Sequence, residues 1–156
     1  MNKIWILALT FLLIGCLPEE NVEADAPTQL TIQTKTGALH QFDVELALKP
    51  SDFAQGLMFR NEMAENAGML FYFGGREAER RFWMKNTFIP LDMIFIRKNG
   101  DIHHIHENAQ PNDLTRIGSQ GPVAAVLEIN GGISSSLGIR KGDKIIHPFF
   151  ADESVE

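Results

Sequence analysis

Short stretches in which apolar or β-branched residues alternate with polar ones recur along this chain and favour a β fold. Residues 30–36 (LTIQTKT) alternate in this way up to Gly37, and residues 39–48 (LHQFDVELAL) alternate again. The two stretches therefore predict a β-hairpin. Including these, about nine strand-length runs are present, with turn signals roughly every 8–12 residues. This pattern predicts one mainly β domain, either a β-sandwich of the jelly-roll type or a barrel.

Helix signals are few. Pro50 and the residues after it predict a helix start, which Gly56 ends after about two turns, and residues 134–137 predict one helical turn. Core or near-core strands are predicted over residues 68–73, 82–87 and 92–97. The domain is therefore expected to contain one or two short helices in an otherwise β structure.

The first 15 residues resemble a secretory signal. Lys3 precedes an apolar run that would rise about 17 Å as a helix, well short of the ~30 Å hydrocarbon core. The end of the run, Leu13-Ile14-Gly15-Cys16, resembles a bacterial lipobox. That resemblance implies removal of residues 1–15 as a signal peptide and acylation of Cys16, including palmitate-type chains, so that the lipoprotein is anchored in a membrane. The alternative is an ordinary signal peptide that ends near Cys16.

Residues 16–27 are expected to form an acidic tether that begins with the lipidated cysteine. The tether carries four acidic side chains and two prolines without an apolar period, as is typical of a flexible linker. The β-domain is then predicted over residues 28–152. The signal predicts a cell-envelope, periplasm-facing location, and Leu17 after the cysteine favours the outer over the inner membrane. Because Cys16 is the only cysteine, an intramolecular disulfide and a thiolate metal cluster are excluded.

Composition and motifs argue against several classes of function. Fourteen Lys and Arg against twenty Asp and Glu give a net charge of −6, a poor match for nucleic acid phosphates. The chain contains no GxGxxG, GxxxxGK or GxSxG pattern. We therefore expect no cofactor and no nucleic acid partner.

Three groups of segments carry a resemblance to a known family. They are GLMFR (56–60) with GMLF (68–71), FWMKNT (82–87) with IPLDMIF (89–95), and LEINGG (127–132) with LGI (137–139). Together they resemble the uncharacterised family called domain of unknown function 192, over about residues 30–149. The resemblance implies a single mostly β, jelly-roll-like domain, and it supplies no established activity.

Four charged side chains lie in apolar stretches, where a lone buried ion costs several kcal/mol. They are Arg60, Lys85, Asp92 and Glu128. Because convergence would lower that cost, we predict that they line one partly buried polar pocket, with Trp83 and methionines as its apolar wall. Arg60 and Lys85 would suit a small polar or anionic ligand. An internal ion-pair network, or exposure of the charges to solvent, is the alternative.

These features predict an envelope lipoprotein that binds a small ligand or serves as an accessory domain, and they favour a binding domain over an enzyme. One alternative is a hydrolase of the cell envelope that uses Asp92 and Glu128 as paired carboxylates. Another is a metal-binding accessory protein, because His104 and His106 share one face of a strand. A third metal ligand would then have to come from elsewhere, such as His40 or His147.

Overall fold

The structure, a computed structural model, describes residues 28–150. The predicted signal peptide, Cys16, the tether and the last two residues of the predicted domain lie outside the described residues. Within residues 28–150, no helix is both long and apolar enough to cross a membrane.

Nine strands and two short helices make up the described part of the chain. The strands are β1 (Thr28–Gln33), β2 (Leu39–Ala47), β3 (Ala67–Tyr72), β4 (Arg81–Phe82), β5 (Leu91–Ile96), β6 (Ile102–Ala109), β7 (Ile117–Gly118), β8 (Ala125–Asn130) and β9 (Lys144–Ile146). The helices are α1 (Pro50–Gln55) and α2 (Ile133–Ser136), and a 3₁₀ turn (Pro148–Phe150) follows β9.

Seven of the strands form one curled sheet in the order β6-β5-β8-β3-β2-β1-β9, and β4 and β7 form a separate two-stranded ribbon. All neighbours in the large sheet are antiparallel except β2 and β3, which run parallel and are connected through α1. The predicted hairpin is confirmed as β1 and β2, in which Thr31 lies opposite Gln41. The prediction of a mainly β domain, of the sandwich or barrel type with one or two short helices, is likewise confirmed, and the curled sheet forms a half-barrel.

The sheet separates two hydrophobic cores because side chains alternate between its faces. The inner face of the curl carries the first core, which includes Leu30, Ile32, Phe42, Val44, Leu70, Ile94, Ile96, Leu127, Ile129 and Phe150. The outer face carries the second core, which includes Leu57, Met69, Phe71, Met84, Met93, Phe95 and Val126, with Phe53 of α1 and Phe82 of β4 packed against it. The central strands β3, β5 and β8 contribute to both cores, which explains why they appear as continuous apolar runs in the sequence.

The predicted strand over residues 82–87 is wrong beyond its first residue. Only Phe82 continues the strand pairing of Arg81. The Thr87 amide donates to the Met84 carbonyl at 3.1 Å, and Asn86 has a φ of 55°, in the left-handed region. A turn therefore replaces the strand here, and it presents Trp83 and Lys85 on a loop beside the second core.

Candidate functional site

A cleft of about 420 Å³ opens on the outer face of the sheet, between α1 and the β4–β7 ribbon. Its volume lies within the range usual for small-ligand sites. Its apolar lining includes Phe53, Leu57, Met58, Phe71, Phe73, Phe82 and Trp83, and its charged lining consists of Glu79, Arg80, Arg81, Lys85 and Glu128. The cleft is therefore an aromatic-walled cavity with ionisable groups at distinct depths.

Glu128 supplies the deepest of these ionisable groups. It lies on β8 directly opposite Met69 of β3 and Met93 of β5, so all three side chains share the outer face. Glu128 is only 4% exposed, and burial raises the pKa of its carboxyl to about 8. Within residues 28–150 this carboxyl has neither a hydrogen-bond partner nor an ion pair. At neutral pH Glu128 is therefore mainly a neutral acid that faces the cleft.

The cleft wall is a set of interlocking phenyl rings from three elements. Phe53 of α1 lies 5.0 Å from Phe73, and Phe71 of β3 packs edge-on against Phe82 of β4 with centroids 5.2 Å apart. Such tilted and edge-to-face pairs are the arrangements that aromatic quadrupoles favour. They hold α1 and the ribbon against the sheet and thereby fix the width of the cleft.

Arg80 is the most enclosed cation of the cleft. Its guanidinium lies 3.8 Å over the Phe73 ring and donates from Nη2 to the Arg76 carbonyl at 3.2 Å, while its buried Nε has no partner among the described residues. Burial lowers the pKa of Arg80, and the nearby Arg76 charge lowers it further. An anionic group in the cleft would relieve both effects.

Two more cations lie at the rim. Arg81 is exposed and pairs at 3.8 Å with Glu79, which is also exposed, so that pair contributes little to stability. Lys85 is exposed as well, with its Nζ 5.3 Å from the Trp83 ring. Arg116 stacks on the same indole at 4.1 Å. Trp83 is thus contacted by two cations, a geometry that suits the negative face of its ring.

Of the predicted site residues, the structure brings Trp83, Lys85 and Glu128 to one cleft and holds Arg60 and Asp92 elsewhere. Arg60 forms a bidentate ion pair with Glu45, with bonds of 2.5 and 2.6 Å, beside a separate cavity of about 180 Å³. The prediction that all four charges converge is therefore wrong, because a carboxylate on β2 already satisfies the Arg60 guanidinium.

Asp92 lies on the opposite face of the sheet from Glu128. It pairs with Ile129 across β5 and β8, one register position away from Glu128. Its fully buried carboxylate accepts hydrogen bonds from the amides of Asn108, Gly132 and Ser134 at 2.7–2.8 Å. Asp92 thus ties β6 to the start of α2. It cannot flank one scissile bond together with Glu128, as the paired-carboxylate alternative requires.

His104 and His106 do share a face of β6, beside a polar depression that Asp113 and Arg116 also line. His104 stacks on Phe95 with a centroid distance of 5.7 Å. Burial lowers the pKa of His104, and the charges of His106 and His103 lower it further. Among residues 28–150, no three or more His, Cys, Asp or Glu side chains are grouped closely enough to hold a metal ion.

Sequence reasoning missed Arg80 and the phenyl wall. Arg80 lies in a charged run, GGREAER, whose composition is typical of a solvated loop. The phenylalanines occur in core-like runs, where a core side chain and a cleft-lining side chain have the same pattern. One usable signal was the position of Arg80 and Arg81 immediately before the apolar FWM segment, because cations next to aromatic residues often stack on them.

The fold and the cleft together define a mainly β domain with a buried acid beneath an aromatic, cation-rimmed opening. The model of the family DUF192, described as "Uncharacterized ACR", matches residues 31–147. The chain therefore belongs to the DUF192 family, as the resemblance of its motifs predicted.

Two solved structures resemble this domain closely. A protein of Sinorhizobium meliloti, named as a candidate transcription regulator, is 45% identical with a TM-score of 0.75, over 78% of this chain and 95% of that one. A protein of unknown function from Novosphingobium aromaticivorans is 38% identical with a TM-score of 0.75, over 86% of this chain and 94% of that one. No protein with a curated description matches the chain.

Proposed function

We propose that this domain binds a small molecule in the cleft above Glu128 and holds an anionic group of that molecule with the cations of the rim. The observation that carries the proposal is the Glu128 carboxyl, which is 4% exposed, lacks a protein partner within residues 28–150 and faces a cavity of about 420 Å³. Holding a carboxyl at this depth is unfavourable because of desolvation. A methionine at this position would avoid that cost and match its neighbours Met69 and Met93.

The cations support the same proposal. Arg80, Arg81 and Lys85 line the cleft, and within residues 28–150 the other charged residues that line it are Glu79 and Glu128. With Glu128 neutral, the lining carries a net charge of about +2, although the chain as a whole is acidic at −6. A local excess of positive charge on an acidic protein favours an anionic group such as a carboxylate or phosphate.

Co-purification tests this proposal even though the ligand is unidentified. The full-length protein, purified in mild detergent, should show an added mass by native mass spectrometry, and the adduct should be lost on acid denaturation. Lys85→Met and Glu128→Met should each lower its occupancy at least several-fold. Lys98→Met, which removes an exposed charge that does not line the cleft, is the matched control. An adduct with the same occupancy in the wild type and in all three variants would contradict binding in this cleft.

We further propose that the domain is held at the bacterial cell envelope through acylated Cys16, as the lipobox-like segment suggests. Two or more acyl chains anchor a protein stably, whereas one does so only marginally. Intact-mass measurement of the full-length chain from a bacterial host should show loss of residues 1–15 and a di- or triacylated cysteine. Cys16→Ser should abolish the lipid mass and the membrane association. A wild-type protein cleaved without acylation would contradict this part of the proposal.

A further inference from the structure

Resting on the proposed function, we infer that the ligand is a zwitterion of amino-acid size: its cationic group pairs with Glu128 at the base of the cleft, its apolar body contacts the phenyl wall, and its anionic group meets Arg81 and Lys85 at the rim. The inference concerns the chemical class of the ligand, and it starts from the order of the groups along the depth of the cleft.

The acidic and the basic side chains of the cleft lie at different depths. Glu128 is buried between two methionines, whereas Arg81 and Lys85 are exposed, and no ion pair joins either of them to Glu128 among the described residues. The acid at the base and the cations at the rim therefore remain unneutralised by each other. A ligand with one charge of each sign, carried at its two ends, complements both.

Aromatic rings in and beside the cleft already form cation–π contacts with charged side chains. Arg80 lies 3.8 Å over Phe73, and Lys85 and Arg116 lie 5.3 and 4.1 Å from the Trp83 ring. A cation that enters among Phe53, Phe71 and Phe82 would meet the same kind of ring surface on its way to Glu128. An anion would meet the negative faces of those rings, which disfavour it at that depth.

The Glu128 carboxyl at the bottom of the cleft is a better partner for a cationic ligand group than for a neutral hydrogen-bond acceptor. A neutral carboxyl can donate one hydrogen bond, but a glutamine would do the same without the risk of an unpaired buried charge. An ammonium group instead stabilises the ionised carboxylate. Binding would then move one proton from Glu128 to solvent and form a carboxylate–ammonium pair in its place, so that charge and protons balance.

Three probes with one common body separate these roles. 4-(Aminomethyl)benzoate carries an ammonium and a carboxylate at opposite ends of one ring, 4-methylbenzylamine carries only the cation, and 4-methylbenzoate carries only the anion. We expect the full-length protein in detergent to bind 4-(aminomethyl)benzoate at least about tenfold more tightly than either single-charge probe, since each lost charge pair removes about 1.4 kcal/mol or more. Calorimetry at pH 7 in two buffers of different ionisation enthalpy should show close to one proton released per 4-(aminomethyl)benzoate bound.

Variants assign each charge to its partner. Glu128→Gln should abolish proton release and reduce 4-(aminomethyl)benzoate affinity to that of 4-methylbenzoate, and Lys85→Met should reduce it toward that of 4-methylbenzylamine. Lys98→Met should change neither. If Glu128→Gln does not fold, Glu128→Met, which suits the flanking methionines, provides the same comparison.

The outcomes distinguish this inference from the proposed function. Equal affinity for 4-(aminomethyl)benzoate and 4-methylbenzoate without proton release would overturn the zwitterion and leave anion binding in the cleft intact. Absence of binding by all three probes would also overturn it, and the proposed function would then depend on the co-purification result alone.

Discussion

Gly68 shows how a single residue sets the spacing of strands at the candidate site. A Cβ at this position would lie 2.6 Å from the Glu128 carbonyl oxygen and 3.0 Å from Cγ2 of Ile129. Both contacts involve the neighbouring strand β8, which cannot withdraw without breaking its ladder. Glycine here therefore allows β3 to approach the strand that carries the buried acid.

We predict that Gly68→Ala destabilises the fold by about 1–3 kcal/mol through this overpacking. Gly118→Ala is the matched control, because a Cβ at Gly118 meets nothing within 4 Å and its φ is not positive. That control should stay within about 0.5 kcal/mol of the wild type. Urea unfolding of the three proteins measures the difference. A stable Gly68→Ala protein would mean that β3 and β8 lie farther apart than described.

Asp92, at the same scale, accepts hydrogen bonds from backbone amides of β6 and of the start of α2. Asp92→Asn leaves one side-chain acceptor oxygen for three amides and brings an NH₂ group toward them. We predict a loss of at least about 1–3 kcal/mol in the free energy of unfolding. The affinity for 4-(aminomethyl)benzoate should stay unchanged, because Asp92 is on the other face of the sheet from Glu128. Denaturation and calorimetry on one preparation check both parts. A stable variant with altered affinity would instead place Asp92 in the binding machinery.

At the scale of elements, the difference between local and long-range pairing explains what the sequence could predict. The β1–β2 hairpin is encoded by alternation on both sides of Gly37, and α1 by Pro50 and Gly56, so local patterns sufficed. The parallel pairing of β2 with β3 has no local signal, because the two strands are separated by α1 and a loop. The candidate site depends on pairings of this second kind.

The separation of Asp92 from Glu128 is an example. Each residue can be placed on one face of its own strand from alternation, but their relative faces depend on the register between β5 and β8. Asp92 pairs with Ile129 and Met93 with Glu128. A shift of one residue would have placed both carboxylates on the same face, and nothing in the sequence distinguishes the two registers.

The Arg60–Glu45 pair connects β2 to the segment after α1, and its strength can be predicted from its exposure. The hydrogen bond from Arg60 to Glu45 raises the pKa of Arg60, but the two side chains are 35% and 40% exposed. Solvent screening therefore limits their coupling to about 1 kcal/mol or less. A double-mutant cycle with Arg60→Met and Glu45→Gln, followed by urea unfolding, measures it. The affinity for 4-(aminomethyl)benzoate should be retained in all variants of the cycle, and its loss would show that Arg60 contributes to the binding site.

At the scale of the whole molecule, the hydrophobic cores on the two faces of the sheet differ in how they are covered. The core inside the curl is built from aliphatic and aromatic side chains of the strands and is closed by the 3₁₀ turn at Phe150. The core on the outer face is covered only by α1, the ribbon and loops, and the cleft opens within this cover. Glu128 is thus buried in one of the two layers that stabilise the domain, so its protonation and the stability of the whole fold are linked.

The direction of that link follows from the pKa of Glu128, which burial raises from 4.5 to about 8. Between these values the folded protein retains a proton that the unfolded chain has lost. The stabilising contribution is therefore complete below pH 4.5 and declines as the pH rises toward 8, by up to about 1.4 kcal/mol per pH unit. The lowered pKa values of His104 and His147 act in the opposite direction, because their contribution is lost as the pH falls below 6.5.

Comparison of Glu128→Gln with the wild type isolates the pH-dependent contribution of the Glu128 carboxyl to stability, because both proteins retain the histidines. We predict that the difference in unfolding free energy, variant minus wild type, increases steadily between pH 5 and pH 8 and then levels off, since the amide has no proton to lose. Urea unfolding of the variant and the wild type at half-unit pH intervals measures this difference. A flat curve for Glu128→Gln would show that the carboxyl titrates as it does in water, which would remove the buried acid on which the binding proposal depends.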